Sequence, residues 1–212
     1  MKNGITNSLV MHRLSRRVLA ASESQTLAIA ARAKQMKQQG IDVVSLATGE
    51  PDFATPACAK HAAIEAIQNN FSHYTEAIGI PELRRVVAEK FRRENNIACA
   101  DESSVLISCG AKHSIMNALS AMCNAGDEVI IPAPYWVSYP AMATIADAHP
   151  VIVNSNADEQ FKITAKQLEH ALTDKTKCVI FNSPSNPTGM MYTQSEFENL
   201  AAFRYSSICL FE

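Results

Sequence analysis

The sequence predicts an α/β fold, a mostly parallel sheet with flanking helices, and three observations carry that expectation. Beyond Asp101 short apolar runs recur at regular intervals: Val105 to Ile107, Val129 to Ile131, Val151 to Val153, Cys178 to Phe181 and Ile208 to Phe211. Each is almost continuously apolar, the pattern of strands covered on both faces, as parallel strands are. Helical stretches separate the runs, which implies right-handed crossovers and ligands bound outside the carboxyl ends of the strands. The composition agrees: 212 residues, 47% hydrophobic and 19% charged, are enough to bury a core. A formal net charge of -2 offers no electrostatic reason for a nucleic-acid or anionic-membrane partner. No apolar run reaches the roughly 18 residues of a membrane span.

In order along the chain, Leu19, Leu27, Ile29, Ala30 and Met36 are spaced for a helix from about Ser15 to Gln39, stopped by Gly40. A short strand is expected at Val43 to Leu46, then a turn-rich loop from Thr48 to Phe53. Pro56 opens a helix to about Asn69, and Pro81 opens a charged one, Glu82 to Glu94. Between the later apolar runs, helices are expected at about Lys112 to Cys123, Trp136 to Ala146, Thr164 to Leu172 and Ser195 to Phe203. The third begins with Thr164-x-x-Gln167, a capping box. Six cysteines, Cys58, Cys99, Cys109, Cys123, Cys178 and Cys209, form no C-x-x-C pair and have no histidine at ligand spacing. They signal neither zinc nor a redox motif, and fit reduced thiols in a cytoplasmic protein.

Three strand-to-helix loops lie where ligands are expected. Ser108-Cys109-Gly110-Ala111-Lys112 sets small residues before a helix, so that a phosphate could approach backbone N–H groups at the positive end of the helix dipole. The same residues also make sense as a tight turn followed by a solvated lysine. Pro132-Ala133-Pro134-Tyr135-Trp136 presents the single tryptophan, able to stack on a planar ligand or to pack the following helix. Asn182-Ser183-Pro184-Ser185-Asn186-Pro187-Thr188-Gly189 is the most specific, because two prolines fix the backbone around Asn186 and Gly189 permits the exit turn.

That last loop resembles the signature of the class I aminotransferases, fold type I enzymes that use pyridoxal 5'-phosphate. Leu14-Ser15-Arg16-Arg17-Val18 is similar to the family's amino-terminal arm, and Gly49-Glu50-Pro51-Asp52-Phe53 to its substrate-carboxylate loop. Tyr74-Thr75 with Gly79-Ile80-Pro81-Glu82-Leu83-Arg84 is similar to the segment that crosses to a partner subunit. Pro134 to Tyr139 resembles the aspartate and prephenate branch. The resemblance implies an enzyme that moves an amino group between an aspartate- or glutamate-type amino acid and a 2-oxo acid such as 2-oxoglutarate, oxaloacetate or prephenate. It implies a homodimer, with no nucleic acid, membrane or metal involved. Gly110, Ala111 and Lys112 would hold the cofactor phosphate, Trp136 would stack on the ring, and Asn186 would bond the ring's phenolic oxygen. Gly49 would meet the substrate carboxylate, with Trp136 and Asn186 beside it, and Tyr74 would reach the partner's phosphate.

The resemblance also sets out what the chain does not contain. The family's cofactor lysine follows the Asn186 loop by several elements, and no lysine here lies after Lys177. The acid expected at the end of the next strand has only Glu212 as a counterpart, and the sole arginine after Arg93 is Arg204. Phe203 to Ser207 fits the family poorly. The expected organisation is therefore residues 1–48 as arm and small-domain part and 49–212 as the amino-terminal part of the cofactor-binding domain, truncated before the lysine. An alternative stays open: a catalytically silent remnant, or a module that pairs with a complementary fragment.

Overall fold

A computed structural model describes residues 13–21, 25–46, 49, 51–98, 101–202 and 210–211. Thr48, Glu50, Cys99, Phe203 to Cys209 and Glu212, named above, lie outside them. The chain divides into two compact units, residues 1–28 with 115–212, and residues 29–114.

The first unit is built on a parallel sheet. Its elements are α1 (Arg16–Ala20), α2 (Gln25–Gln38, shared with the second unit), α5 (Ala111–Met122, almost wholly here), β1 (Glu128–Ala133), α6 (Ser138–Ile145), β2 (His149–Asn154), α7 (Ala165–Ala171), β3 (Thr176–Ile180), α8 (Gln194–Ala201) and β4 (Leu210–Phe211). The intervening α3 (Ala57–Gln68) and α4 (Pro81–Asn95) belong to the second unit. Strand order is β2-β1-β3-β4, with every neighbouring pair parallel. Alternate side chains of β1 go to opposite faces. Val129 and Ile131 join Leu119, Tyr139, Met142 and Cys178 in one core cluster, while Ile130 joins Val153, Ile163, Leu168, Val179 and Leu200 in the other. Helices α5 and α6 thus cover one face, and α7 and α8 the other. Such two-sided cover is why β1 reads as an unbroken apolar run rather than an alternating one. Burying Ile130 or Ile131 completely stabilises the fold by about 2–3 kcal/mol each.

Local chemistry sets the helix ends. The Thr164–Gln167 capping box forms, with the Gln167 N–H donating to Thr164 Oγ1 at 3.2 Å and the Thr164 N–H to Gln167 Oε1 at 2.7 Å. Thr193 and Glu196 make the same box at α8. Helix α6 begins at Ser138 rather than at Trp136, because Trp136 and Val137 form the turn that precedes it and the Tyr139 N–H donates back to the Trp136 carbonyl at 3.0 Å.

In the second unit α2 ends as the sequence predicts. Gly40 has φ +79°, and the N–H groups of Gly40 and Ile41 donate to the carbonyls of Lys37 and Met36, a Schellman closure. Two expected strands are absent as strands. Val43 to Leu46 is irregular, with Val44 and Leu46 exposed and no pairing partner among the described residues. Val105 to Ile107 is irregular as well, because its backbone is satisfied elsewhere: the Ile107 N–H donates to Ile78 O at 2.9 Å, and Val105 O accepts from Arg84 Nε at 3.1 Å. An apolar run becomes a strand only where a neighbour supplies the ladder.

Candidate functional site

In the sheet unit, β1 and β3 are adjacent and parallel, so their following loops emerge at one end of the sheet. Tyr135, from the loop after β1, and Asn182, Ser185 and Asn186, from the loop after β3, line a single notch there. Trp136 is half-buried against the Leu119–Tyr139 core, its ring edge-on to Tyr139 with centroids 5.5 Å apart. It therefore combines both readings of the sequence, packing one side of the ring and leaving another accessible. Burial pushes the Tyr139 hydroxyl's pKa above its ordinary value, so this packing partner stays neutral.

The Asn186 loop is held by its own side chains. Asn182 Oδ1 accepts the Asn186 N–H at 2.7 Å, Ser185 and Gly189 close a turn through Gly189 N–H to Ser185 O at 2.7 Å, and the Ser185 N–H donates to Met190 O at 2.9 Å. Gly189 has φ +72°, the left-handed turn expected of it. Asn186 itself is exposed, and among the described residues its side-chain amide makes no hydrogen bond. A rigid backbone with an unused amide at the sheet end is an arrangement ready for a polar ligand atom.

Sequence reasoning did not find the fastenings behind this loop. The Tyr192 N–H donates to Ser183 Oγ at 3.1 Å, and Tyr192 Oη accepts the buried Ile163 N–H at 2.9 Å. Burial, only partly offset by that bond, raises the Tyr192 pKa. Lys162 lines the notch too; its ammonium is 2.6 Å from Glu196 Oε1 and 5.9 Å from the Tyr192 ring centroid. The Lys162 bond, with help from Thr193, holds the Glu196 carboxyl below the usual carboxylate range. Gln160 and Phe161 both have φ +54°, a left-handed pair unfavourable for residues with side chains, and the turn they make delivers Phe161 and Lys162 to the notch. Only the clustering of Asn182 and Ser183 directly after a strand could have signalled any of this in the sequence.

The remaining candidate residues fall in residues 29–114. Gly110 has φ +85° and open space where a Cβ would stand, and its carbonyl accepts the N–H groups of His113 and Ser114. The Cys109 N–H donates to His113 Nδ1 at 3.2 Å, giving His113 a local polar role. Small, exposed Gly110 and Ala111 at the start of a twelve-residue helix leave backbone approachable by an anion, and exposed Lys112 adds positive charge. Gly49 is exposed with open space beside it, and Tyr74 is fully exposed. The segment Gly79 to Arg84 has a structural reason of its own: an added Cβ on Gly79 (φ +105°) would stand 2.5 Å from Ile107 Cγ1. Pro81 starts α4 and Arg84, 6% exposed, bonds Glu76, Val105 O and Glu102 O.

Pyridoxal 5'-phosphate fits the chemistry of these groups: an open glycine turn at a helix start for an anion, a half-exposed indole for a ring and an unengaged amide for an oxygen. Among the described residues no three His, Cys, Asp or Glu side chains are grouped to hold a metal ion, and no helix is long and apolar enough to cross a membrane.

Comparison with known proteins bears on the same residues. Residues 41–211 match the family model described as aminotransferase class I and II. The chain is 48% identical over 188 residues to an aspartate aminotransferase of Bacillus sp. strain YM-2, covering 89% of this chain and 48% of that protein. It is 45% identical over 190 residues to an aspartate/prephenate aminotransferase of Nitrosomonas europaea, covering 90% and 48%. The aspartate aminotransferase of Thermus thermophilus, solved with maleate, superposes with a TM-score of 0.86 at 42% identity, over 89% of this chain and 49% of that one. The chain spans about half the length of the curated relatives it matches.

Proposed function

The chain belongs to the class I and II aminotransferase family, and from that premise we propose that it carries the cofactor-facing half of an aspartate- or prephenate-type aminotransferase site. The observation that carries the proposal is the shared sheet end, where the Tyr135–Trp136 loop and the fastened Asn186 loop emerge from adjacent parallel strands. The reaction proposed for the whole protein moves an amino group between aspartate or glutamate and a 2-oxo acid such as 2-oxoglutarate, oxaloacetate or prephenate. The maleate on the Thermus relative, a dicarboxylate, supports substrates of that class.

Pyridoxal 5'-phosphate, when bound, supplies an electron sink for charge at the substrate's α-carbon. The chain's own residues bind and orient. Backbone N–H groups of Gly110, Ala111 and Lys112 hold the phosphate, with the helix dipole and the Lys112 ammonium adding attraction. The Trp136 ring, braced by Tyr139, covers one face of the pyridine. The Asn186 amide donates to the phenolic oxygen and favours its ionised form. The Gly49 N–H holds the substrate's α-carboxylate, and Tyr74 serves the partner chain's phosphate in a homodimer. Residues 1–48 are assigned to the arm and small domain, 49–212 to the cofactor domain, and the compartment is the cytoplasm.

Trp136 is the only tryptophan, so its fluorescence reports on this site alone. Titrating the chain with pyridoxal 5'-phosphate should quench it saturably, and Asn186→Ala should weaken the titration several-fold. Unchanged emission at millimolar cofactor sinks the assignment. Amino transfer from aspartate to 2-oxoglutarate by this chain alone, if robust, would eliminate the alternative of a silent remnant.

A further inference from the structure

Two thiols meet inside the sheet unit, on the face covered by α5 and α6. Cys178, on β3, is fully buried; Cys123, directly after the last residue of α5, is half-buried. Both pack into the cluster formed by Leu119, Val129 and Ile131, and a side-chain hydrogen bond joins them. Their backbones are both held, Cys178 by its pairing with Val129 and Cys123 by its N–H bond to Leu119 O at 2.9 Å. A single buried cysteine is simply a small apolar side chain. Two in hydrogen-bond contact have a further reaction open to them, since closing the sulfurs to about 2.05 Å makes a disulfide.

We propose that Cys123 and Cys178 are a modification site, a thiol pair that a hydroperoxide converts to a disulfide stapling the end of α5 to β3. The more accessible Cys123 sulfur, as thiolate, attacks the peroxide oxygen. The O–O bond breaks, an alcohol or water leaves, and Cys123 is a sulfenic acid. The Cys178 sulfur then attacks the Cys123 sulfur, the S–O bond breaks and water leaves with the Cys178 proton. In sum, two thiols lose two electrons and two protons to one hydroperoxide. Burial pushes the Cys123 thiol up from its ordinary pKa, Asp127 pushing the same way and Lys177 opposing, so the first step is slow beside oxidation of exposed Cys58 and Cys109. The bridge would anchor the helix whose opposite end carries the Gly110–Lys112 turn.

The test is to treat the whole chain with hydrogen peroxide, block remaining thiols with N-ethylmaleimide after unfolding, and map the peptides by mass spectrometry. The expected product is a linked Cys123–Cys178 peptide pair, together with a rise in Tm that dithiothreitol reverses. The proposal is overturned if Cys123 advances to sulfinic acid while Cys178 is recovered as a blocked thiol. It is overturned equally if both are recovered as blocked thiols at doses that fully oxidise Cys58 and Cys109.

Discussion

Arg84 and Lys162 are both drawn out of water and both paired with a glutamate, one in each compact unit, yet they hold different things. Arg84 spends its planar fork on backbone: Nε on the Val105 carbonyl, one terminal nitrogen on the Glu102 carbonyl and the other on Glu76, 3.1 Å away. It closes a stretch of chain that has no sheet to close it. Lys162 makes a point contact with Glu196 and lies toward the Tyr192 ring, in a unit already built by strands on both sides. The guanidinium substitutes for missing secondary structure, while the ammonium trims the position of a loop that the sheet already places.

That contrast can be broken most sharply at Arg84. Arg84→Ala should cost about 3–5 kcal/mol in urea unfolding, because it strands two carbonyls and a carboxylate together. Arg84→Lys should recover less than half of it, since an ammonium cannot span the three acceptors. Full recovery would reduce Arg84 to a generic charge. Gly79→Ala should cost about 2–3 kcal/mol, from left-handed strain and the collision with Ile107. Adding Ile107→Ala should rescue little, because Ile107 Cβ itself would stand 2.7 Å from the new methyl.

On the sheet side smaller effects are expected. Tyr192→Phe leaves the buried Ile163 N–H without its acceptor and should cost about 1–2 kcal/mol, with faster hydrogen exchange at the amides of Ile163 and Tyr192. Glu196→Gln should cost less than about 1 kcal/mol at neutral pH, its partner being only partly shielded by this half-exposed carboxylate. Its signature is in acid. The folded carboxyl titrates below its ordinary 4.5, so its stabilisation is fully present above that pH and fades as pH falls through the lower folded value. Glu196→Gln should therefore flatten the acid limb of a Tm-against-pH curve; an unaltered limb would mean that Lys162 and Glu196 are not coupled.

The same contrast explains how much could be read in advance. The runs at Val129, Val151 and Cys178 were legible as strands because cover on both faces demands apolar residues in succession. Thr164 and Gln167 were legible because a capping box needs only four consecutive residues. Val43 to Leu46 and Val105 to Ile107 carry the same apolar signal and are not strands. Nothing within a run says whether a neighbour will pair with it or an arginine twenty-one residues away will take its carbonyl. At the candidate site, Trp136, Asn186 and Gly110 could be singled out by type and neighbours. Asn182, Tyr192 and Lys162 could not, since their importance lies in what they touch.

By itself, then, the sequence determined the class of fold, the family and the side chains set out at the sheet's carboxyl end, because apolar periodicity and short motifs are local properties of a chain. The tertiary structure alone decided which runs pair, which cation closes which loop and which two cysteines meet. Those outcomes depend on contacts between residues far apart in the chain, where burial and unsatisfied backbone groups, rather than local preference, set the free energy.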